Sequence, residues 1–310
     1  MVIADDLTGA CDAGVAFAPN TAVVLKEPHP ATETIVYTTD SRADSPEAAA
    51  GKIAALVRRL PDHTLLFKKV DSVLRGNIRA ELDALAAAGL RTAIACTAFP
   101  DQQRYVRRGV AFPPGRPLAD VVPPWVEIAD AGTDADLDRI ATTVLDRSPT
   151  PVAIGSAGLA RAVARRLGIA PVLPEPPPGG VAVIVIGSTH QATRAQVNHL
   201  QVHPDTRFLL HEIAMPNPSP SQIERIRRDL VAQRNGGLIV SGGDTARLLL
   251  DILDAGCLRL LGEFAPGIPV GRIEGGPAAG LTVITKSGGF GSEDALSCAA
   301  DFLCNQNRKT

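Results

Sequence analysis

The segment Leu281-Thr282-Val283-Ile284-Thr285-Lys286-Ser287-Gly288-Gly289-Phe290-Gly291 decides the fold class. An apolar β-type run ends in a lysine and enters a loop with three glycines in four residues. Residues 292–303 then carry helical periodicity, with Glu293 and Asp294 suited to a first helical turn. A strand, a glycine loop and a helix N-terminus in that order present N–H groups that a phosphate can approach closely. Lys286 adds a mobile positive charge at the strand end. A tight βα turn whose glycines serve geometry alone is the competing reading.

The same theme occurs twice more upstream. Residues 181–186 run into Gly187-Ser188-Thr189-His190 and a helix, and residues 237–240 run into Ser241-Gly242-Gly243-Asp244-Thr245 and another. Strands alternating with helices predict α/β architecture with a mostly parallel sheet, whose strand-to-helix loops lie at one edge and therefore converge. Residues 267–280, with Gly271, Gly275, Gly276 and Gly280, read as an irregular segment lining that edge.

The first half has its own strand ends. Residues 1–4 end in Asp5-Asp6-Leu7-Thr8-Gly9-Ala10-Cys11-Asp12, read as a loop running into a helix. Two adjacent carboxylates at a strand's carboxyl end suit a ligand site, although Asp6 or Thr8 could simply cap a helix. Residues 22–25 and 34–38 are further strands. The second ends in Thr39-Asp40-Ser41-Arg42, and Ser45-Pro46-Glu47 opens a helix. Arg42 could fork onto a carboxylate or make a plain surface ion pair. Residues 65–70 run into Lys68-Lys69-Val70-Asp71-Ser72, followed by Arg75-Gly76-Asn77 and Glu81. That density of charge at one strand-to-helix junction is the strongest functional signal of this half. Residues 91–97 end in Phe99-Pro100-Asp101-Gln102-Gln103-Arg104, and the proline-rich residues 113–124 read as an irregular excursion. Residues 171–180 hold five prolines and two glycines, a hinge signature that sets the boundary between residues 1–170 and 181–310.

Composition narrows the classes. At 310 residues, 45% hydrophobic and 21% charged with a net charge of -2, the chain reads as an ordinary globular protein of two domains. Near-neutral charge and sparse aromatics argue against a nucleic-acid partner. Asp5 and Asp6 interrupt any signal peptide, and the run 181–186 is too short to span a bilayer, so a cytoplasmic location and no membrane partner are expected. The five cysteines lack a C-x-x-C pair and read as reduced thiols. There is no Walker A pattern and no G-x-S-x-G elbow. Gly289-Phe290-Gly291 begins like a dinucleotide fingerprint but lacks the third glycine. His190 is either a general base or an ordinary loop histidine. Phosphoryl transfer fits both halves, because it needs cations and N–H groups around the moving phosphoryl and a carboxylate to orient the acceptor hydroxyl.

Ala4-Asp5-Asp6-Leu7-Thr8-Gly9-Ala10 with Asp12, Asp40-Ser41-Arg42, and Lys69-Val70-Asp71-Ser72 with Arg75-Gly76-Asn77 and Glu81 resemble the substrate-binding domain of the four-carbon acid sugar kinase family. Gly187-Ser188 with Thr193 and Gln196, Ser241-Gly242-Gly243-Asp244-Thr245, and Lys286-Ser287-Gly288-Gly289-Phe290-Gly291 resemble its nucleotide-binding domain. The resemblance implies two α/β domains, each with a mostly parallel sheet flanked by helices, and an active site in the cleft between them. It implies ATP with Mg²⁺, its metal ligands unassigned, and an acid sugar of the D-threonate, D-erythronate or 3-oxo-tetronate type. Homo-oligomerisation is left open. Asp5, Asp6, Asp12, Arg42, Lys69 and Arg75 would bind the substrate. Asp71 would orient the accepting hydroxyl, with Asp5 or Asp12 as rivals. Gly187, Ser188, Gly242, Gly243, Asp244, Lys286, Gly288, Gly289 and Gly291 would hold ATP, with Lys286 near the polyphosphate and, beside Asp71, a catalytic candidate. Thr39-Asp40-Ser41-Arg42 looks more like the threonate-kinase branch. The chain departs from the family at Gln103, which stands where a glycine is usual, and in its shorter length.

Overall fold

Short runs of buried, largely β-branched residues alternate with helices along the chain, a pattern that parallel strands covered on both faces require. The structure is a computed structural model and describes residues 1–27, 31–59, 65–202, 207–232 and 236–304. The chain forms two units: Met1–Phe17 with Thr34–Ala170, and Ala18–Glu33 with Pro171–Thr310. In chain order, the first fifteen elements are β1 (Val2–Ala4), α1 (Leu7–Gly14), β2 (Thr21–Val24), β3 (Thr34–Thr38), α2 (Pro46–Val57), β4 (Phe67–Lys69), α3 (Ile78–Ala87), β5 (Ala93–Cys96), β6 (Tyr105–Arg107), β7 (Val110–Phe112), β8 (Arg116–Pro117), β9 (Val126–Ile128), α4 (Asp134–Asp146), β10 (Val152–Gly155) and α5 (Ala157–Arg166). Then come β11 (Ala182–Ile186), α6 (Gln191–Val202), β12 (Phe208–Glu212), α7 (Pro220–Ala232), β13 (Leu238–Ser241), α8 (Gly243–Ile252), β14 (Cys257–Ala265), β15 (Ile268–Glu274), β16 (Thr282–Lys286) and α9 (Ala295–Leu303).

In the first unit the strands run β3-β1-β4-β10-β5-β9, all parallel. β3 and β4 flank β1 on opposite sides, so the chain switches direction across β1. The carboxyl edge beside such a switch is where open sheets bind ligands. The loop expected after Asp6 is already helical: α1 starts at Leu7, and the Asp6 carboxylate caps it by accepting from the Gly9 amide at 3.0 Å. The irregular excursion expected over 113–124 is partly ordered as well. β6, β7 and β8 form an antiparallel sheet, and Arg108 (φ 50°) and Gly109 (φ 70°) make the tight turn between the first two.

In the second unit the order is β12-β11-β13-β16-β15-β14-β2. The first four strands are parallel and the remaining pairings antiparallel. Residues 267–280, expected to be irregular, contain β15, which forms a hairpin with β14. Pro266 and Gly267 (φ 79°) make the turn, a dipeptide whose hairpin chemistry outweighs the glycine content that follows it. Ile184, Ile239 and Ile284, on the three adjacent strands β11, β13 and β16, pack with Val197, Leu200, Leu296 and Leu303 from α6 and α9. The proline-rich segment 171–180 belongs to this unit, where Glu263 donates from its backbone to the Val172 carbonyl at 3.0 Å. Among the described residues, no helix is long and apolar enough to cross a membrane.

A buried charge pair ties the first unit's edge together. Lys68 (0% exposed) on β4 reaches Glu81 (1%) on α3 at 2.9 Å. Lys68 also donates to the Lys69 carbonyl at 3.1 Å, and the second oxygen of Glu81 accepts from Ser41. The Ser41 amide donates to the Asp5 carbonyl at 3.0 Å, and Asn77 donates to the Ser41 carbonyl at 2.9 Å. Loops after β1, β3 and β4 are thereby held by one network. Removing one charge would strand the other in the core. Glu81→Gln is expected to destabilise the protein by about 3 kcal/mol in urea unfolding, with Lys68→Met/Glu81→Leu restoring most of the loss. A change below about 1 kcal/mol for the single variant would show that the pair is not the lock described.

Candidate functional site

At the first unit's switch point, the ends of β1, β3 and β4 bring Asp5, Asp6, Arg42, Lys69, Asp71 and Arg75 together. Arg42 forks onto Asp5 with two bonds of 2.8 Å and reaches Asp6 at 2.6 Å, with Asp71 3.9 Å away. Arg75 grips Asp71 through Nε at 2.9 Å, Nη2 at 2.8 Å and its own backbone amide at 3.1 Å. A methyl group at Gly9 would sit 2.8 Å from Lys69 Nζ, which fixes that ammonium beside the start of α1 and Asp6. Burial opposes the charge on Asp5, yet the Arg42 fork, with Lys68 and Lys69 beyond it, holds the carboxyl below its usual range. Burial likewise opposes ionisation of Asp71, and hydrogen bonds from Arg75 with the nearby Arg42 and Lys69 charges pull it well below that range. The Arg42 guanidinium, desolvated but ringed by Asp6, Asp5 and Asp71, stays protonated.

Arg104 also enters this cluster. It donates to Ser72, and Asp71 and Asp12 support its charge against burial. Asp12 is itself buried on α1. The sequence assigned Arg104 no role, although its place in the loop after β5, just past Phe99-Pro100, was a usable signal. Arg75 points furthest toward solvent, with two thirds of its side chain exposed (66%).

In the second unit, the loops after β11, β13 and β16 meet at a single edge. The amides of Gly187 and Ser188 both donate to the Ser241 carbonyl at 3.2 Å, and the Gly242 amide donates to the Lys286 carbonyl at 3.1 Å. Gly242 has φ 115°, and a side chain there would meet Thr245 Oγ1 at 3.0 Å and the Ser188 amide at 3.4 Å. A methyl at Gly288 would overlap the Ser188 hydroxyl, and one at Gly289 would lie 3.2 Å from the His190 ring. The positive φ at Gly242 and the overlap with Ser188 at Gly288 therefore call for glycine at those two positions. His190 accepts from the Ala192 amide at 3.2 Å through Nδ1, a helix-capping contact. Asp244 lies exposed in the first turn of α8, and Gly291 (φ 87°) is exposed at the end of the last loop.

Lys286 departs from the expected mobile charge. It is 1% exposed, and its ammonium points beneath the loop. It donates to Thr193 Oγ1 at 3.2 Å and to the carbonyls of Ser287, Gly288 and Phe290 at 3.1, 3.4 and 3.2 Å. Burial pushes its pKa down to about 7. Thr193 and Gln196, part of the nucleotide-binding resemblance but without individual roles in it, join it. Gln196 Nε2 contacts the carbonyls of Phe290, Gly291 and Ser292 at 3.0, 3.1 and 2.9 Å, and Thr193 donates to the Gly288 carbonyl at 2.7 Å. Among the described residues the amides of Gly288, Gly289 and Gly291 find no acceptor. The loop's carbonyls are thus engaged from within while these amides stay unspent. No group of three or more His, Cys, Asp or Glu side chains among the described residues could cage a metal ion.

Two family models match separate parts of the chain. A family model described as the sugar-binding N-terminal domain matches residues 1–122, and one described as the nucleotide-binding C-terminal domain matches residues 220–296. A D-threonate kinase of Bordetella bronchiseptica is 30% identical over 397 residues, spanning 97% of this chain and 96% of its own. A D-erythronate kinase of Heliobacterium modesticaldum is 26% identical, spanning 98% of this chain and 96% of its own. Both alignments are longer than the 310 residues here, so these relatives carry insertions that this chain lacks. A solved Salmonella typhimurium LT2 structure shares the fold with a TM-score of 0.73 at 18% identity, covering 96% of this chain and 98% of its own. A Haemophilus influenzae structure does so with a TM-score of 0.65 at 18% identity, covering 97% and 99%. An identity of 30% to kinases of that family, aligned over 96–97% of this chain and 96% of theirs, makes this chain a member of the four-carbon acid sugar kinase family.

Proposed function

We propose that this protein transfers the terminal phosphoryl group of ATP to a hydroxyl of a four-carbon acid sugar of the D-threonate or D-erythronate type. The observation that carries the proposal is the loop after β16, with its carbonyls tied down and the amides of Gly288, Gly289 and Gly291 left for an anion. The relatives named D-threonate kinase and D-erythronate kinase support the choice of acceptor. In this reading the first unit takes the acid sugar and the second the nucleotide.

Arg75, Lys69 and Arg104 are the cations proposed to meet the substrate carboxylate and hydroxyls, with Arg42 held in place for the same task by Asp5 and Asp6. Asp12 acts through Arg104. Asp71 is proposed to orient the accepting hydroxyl. Its depressed pKa makes it a weak base, which suits a loose phosphoryl-transfer transition state where positioning outweighs proton abstraction. Gly187, Ser188 and Gly242, whose amides are bonded to the Ser241 and Lys286 carbonyls, are proposed with Gly243 to line the phosphate wall beside the last loop by their small size. Mg²⁺ would come largely coordinated by the phosphates, as is usual for this ion, with Asp244 the proposed protein carboxylate. It would supply charge neutralisation to the polyphosphate.

Three measurements test the proposal. Coupled ADP release across D- and L-threonate, D- and L-erythronate and 3-oxo-tetronates is expected to show turnover with at least one D-acid. No ADP release with any of them would reject the kinase assignment. Asp71→Asn should lower kcat by about 10²-fold or more while the ATP Kd stays within about twofold; wild-type turnover would remove Asp71 from its role. Because Asp71 stays ionised, kcat should not fall between pH 8 and pH 5 on its account. Arg75→Ala removes the hydrogen bonds that depress it, so the acid limb of the pH–rate profile should move upward toward the ordinary carboxylate range. An unmoved limb would show that Asp71 does not govern it.

A further inference from the structure

The described contacts of the Lys286 ammonium are all to neutral oxygens. A lysine held this way cannot also turn its Nζ to a phosphate without releasing the loop above it. We propose that Lys286, Gln196 and Thr193 are positioning residues that set the polarity of the phosphate loop, and that Lys286 is not itself a phosphate ligand. The inference rests on reading this loop as the nucleotide's phosphate site.

The geometry is specific. The carbonyls of Ser287, Gly288, Phe290, Gly291 and Ser292 each accept from at least one of the three side chains. The Phe290 carbonyl is shared by Lys286 and Gln196, and the Gly288 carbonyl by Lys286 and Thr193. Thr193 also accepts from Lys286, so the three side chains form one unit. Any of these carbonyls turned outward would oppose a polyphosphate with its negative end. Pulling them inward directs the peptide dipoles so that the amides are left for the anion. The Gln196 Oε1 atom is buried without a hydrogen-bond partner among the described residues, so the amide's value here lies wholly in its donors.

The test uses the full-length chain and ATP, with Lys286→Met, Gln196→Leu, the double variant and the milder Thr193→Val. Each single variant is expected to weaken ATP binding by calorimetry about tenfold, and the double variant about as much as the worse single, because both release the same loop. KM for ATP should rise with KM for the acid sugar unchanged. Amide exchange of residues 287–292 should speed up in the ligand-free variants, read by mass spectrometry. Losses that multiply in the double variant, with loop exchange in the ligand-free protein unchanged, would overturn the proposal and make Lys286 a direct ligand. Should Lys286→Met fail to unfold cooperatively, Thr193→Val carries the same two readouts. Wild-type protein that binds no ATP would reject the nucleotide reading, and exchange in the ligand-free variants would still decide the clamp.

Discussion

A charge buried at the carboxyl edge of a parallel sheet must be matched within a few ångströms, because water is not there to do so. Much of the local structure follows from how this chain meets that constraint. Lys68 is matched by Glu81, Arg42 by Asp5 and Asp6, and Asp71 by Arg75. Each pair joins residues from different strand-to-helix junctions or closes one junction on itself. The loops are therefore positioned by electrostatics as much as by packing. Lys286 meets the constraint differently, with carbonyl and hydroxyl oxygens in place of a carboxylate. Those oxygens hold its ammonium in place, while burial lowers its pKa to about 7.

The two kinds of matching suit two ligands. A polyol acid offers one carboxylate and several hydroxyls, so its site needs cations and acceptors side by side. The first unit's cluster has both, held rigid by their own ion pairs. A polyphosphate offers only negative oxygens, and a site rich in carboxylates would repel it. The second unit's edge is built from amides, glycines and hydroxyls, with Asp244 at its exposed rim. The glycines at 242 and 288 are there because the loops approach too closely for side chains.

Several elements were legible from residue order. The runs at 181–186 and 237–240, and the last strand with its loop, are apolar and end in glycine and hydroxyl residues, so their type and register at one edge followed from pattern. The Asp5, Arg42 and Asp71 junctions stood out because adjacent charges at strand ends have few structural uses. The β14–β15 hairpin was missed: its second strand contains Pro269 and Gly271, and pairing on both sides overrides their poor strand propensity. The β6–β8 sheet was missed because its turn uses Arg108 at positive φ, which composition does not advertise. Strand β2 pairs with β14 from more than 200 residues away in the chain, and local sequence carries no information about such pairing.

The sequence by itself determined that this is an α/β chain with charged and glycine-rich junctions, because periodicity and turn chemistry are local. Which charges remain available to a ligand was decided only by the tertiary structure. Arg42 and Lys286 read alike on the page, as a basic residue at or just past a strand end. In the fold, one is forked onto two carboxylates and the other is buried beneath a loop, since a partner's distance is set by strands brought together from remote parts of the chain.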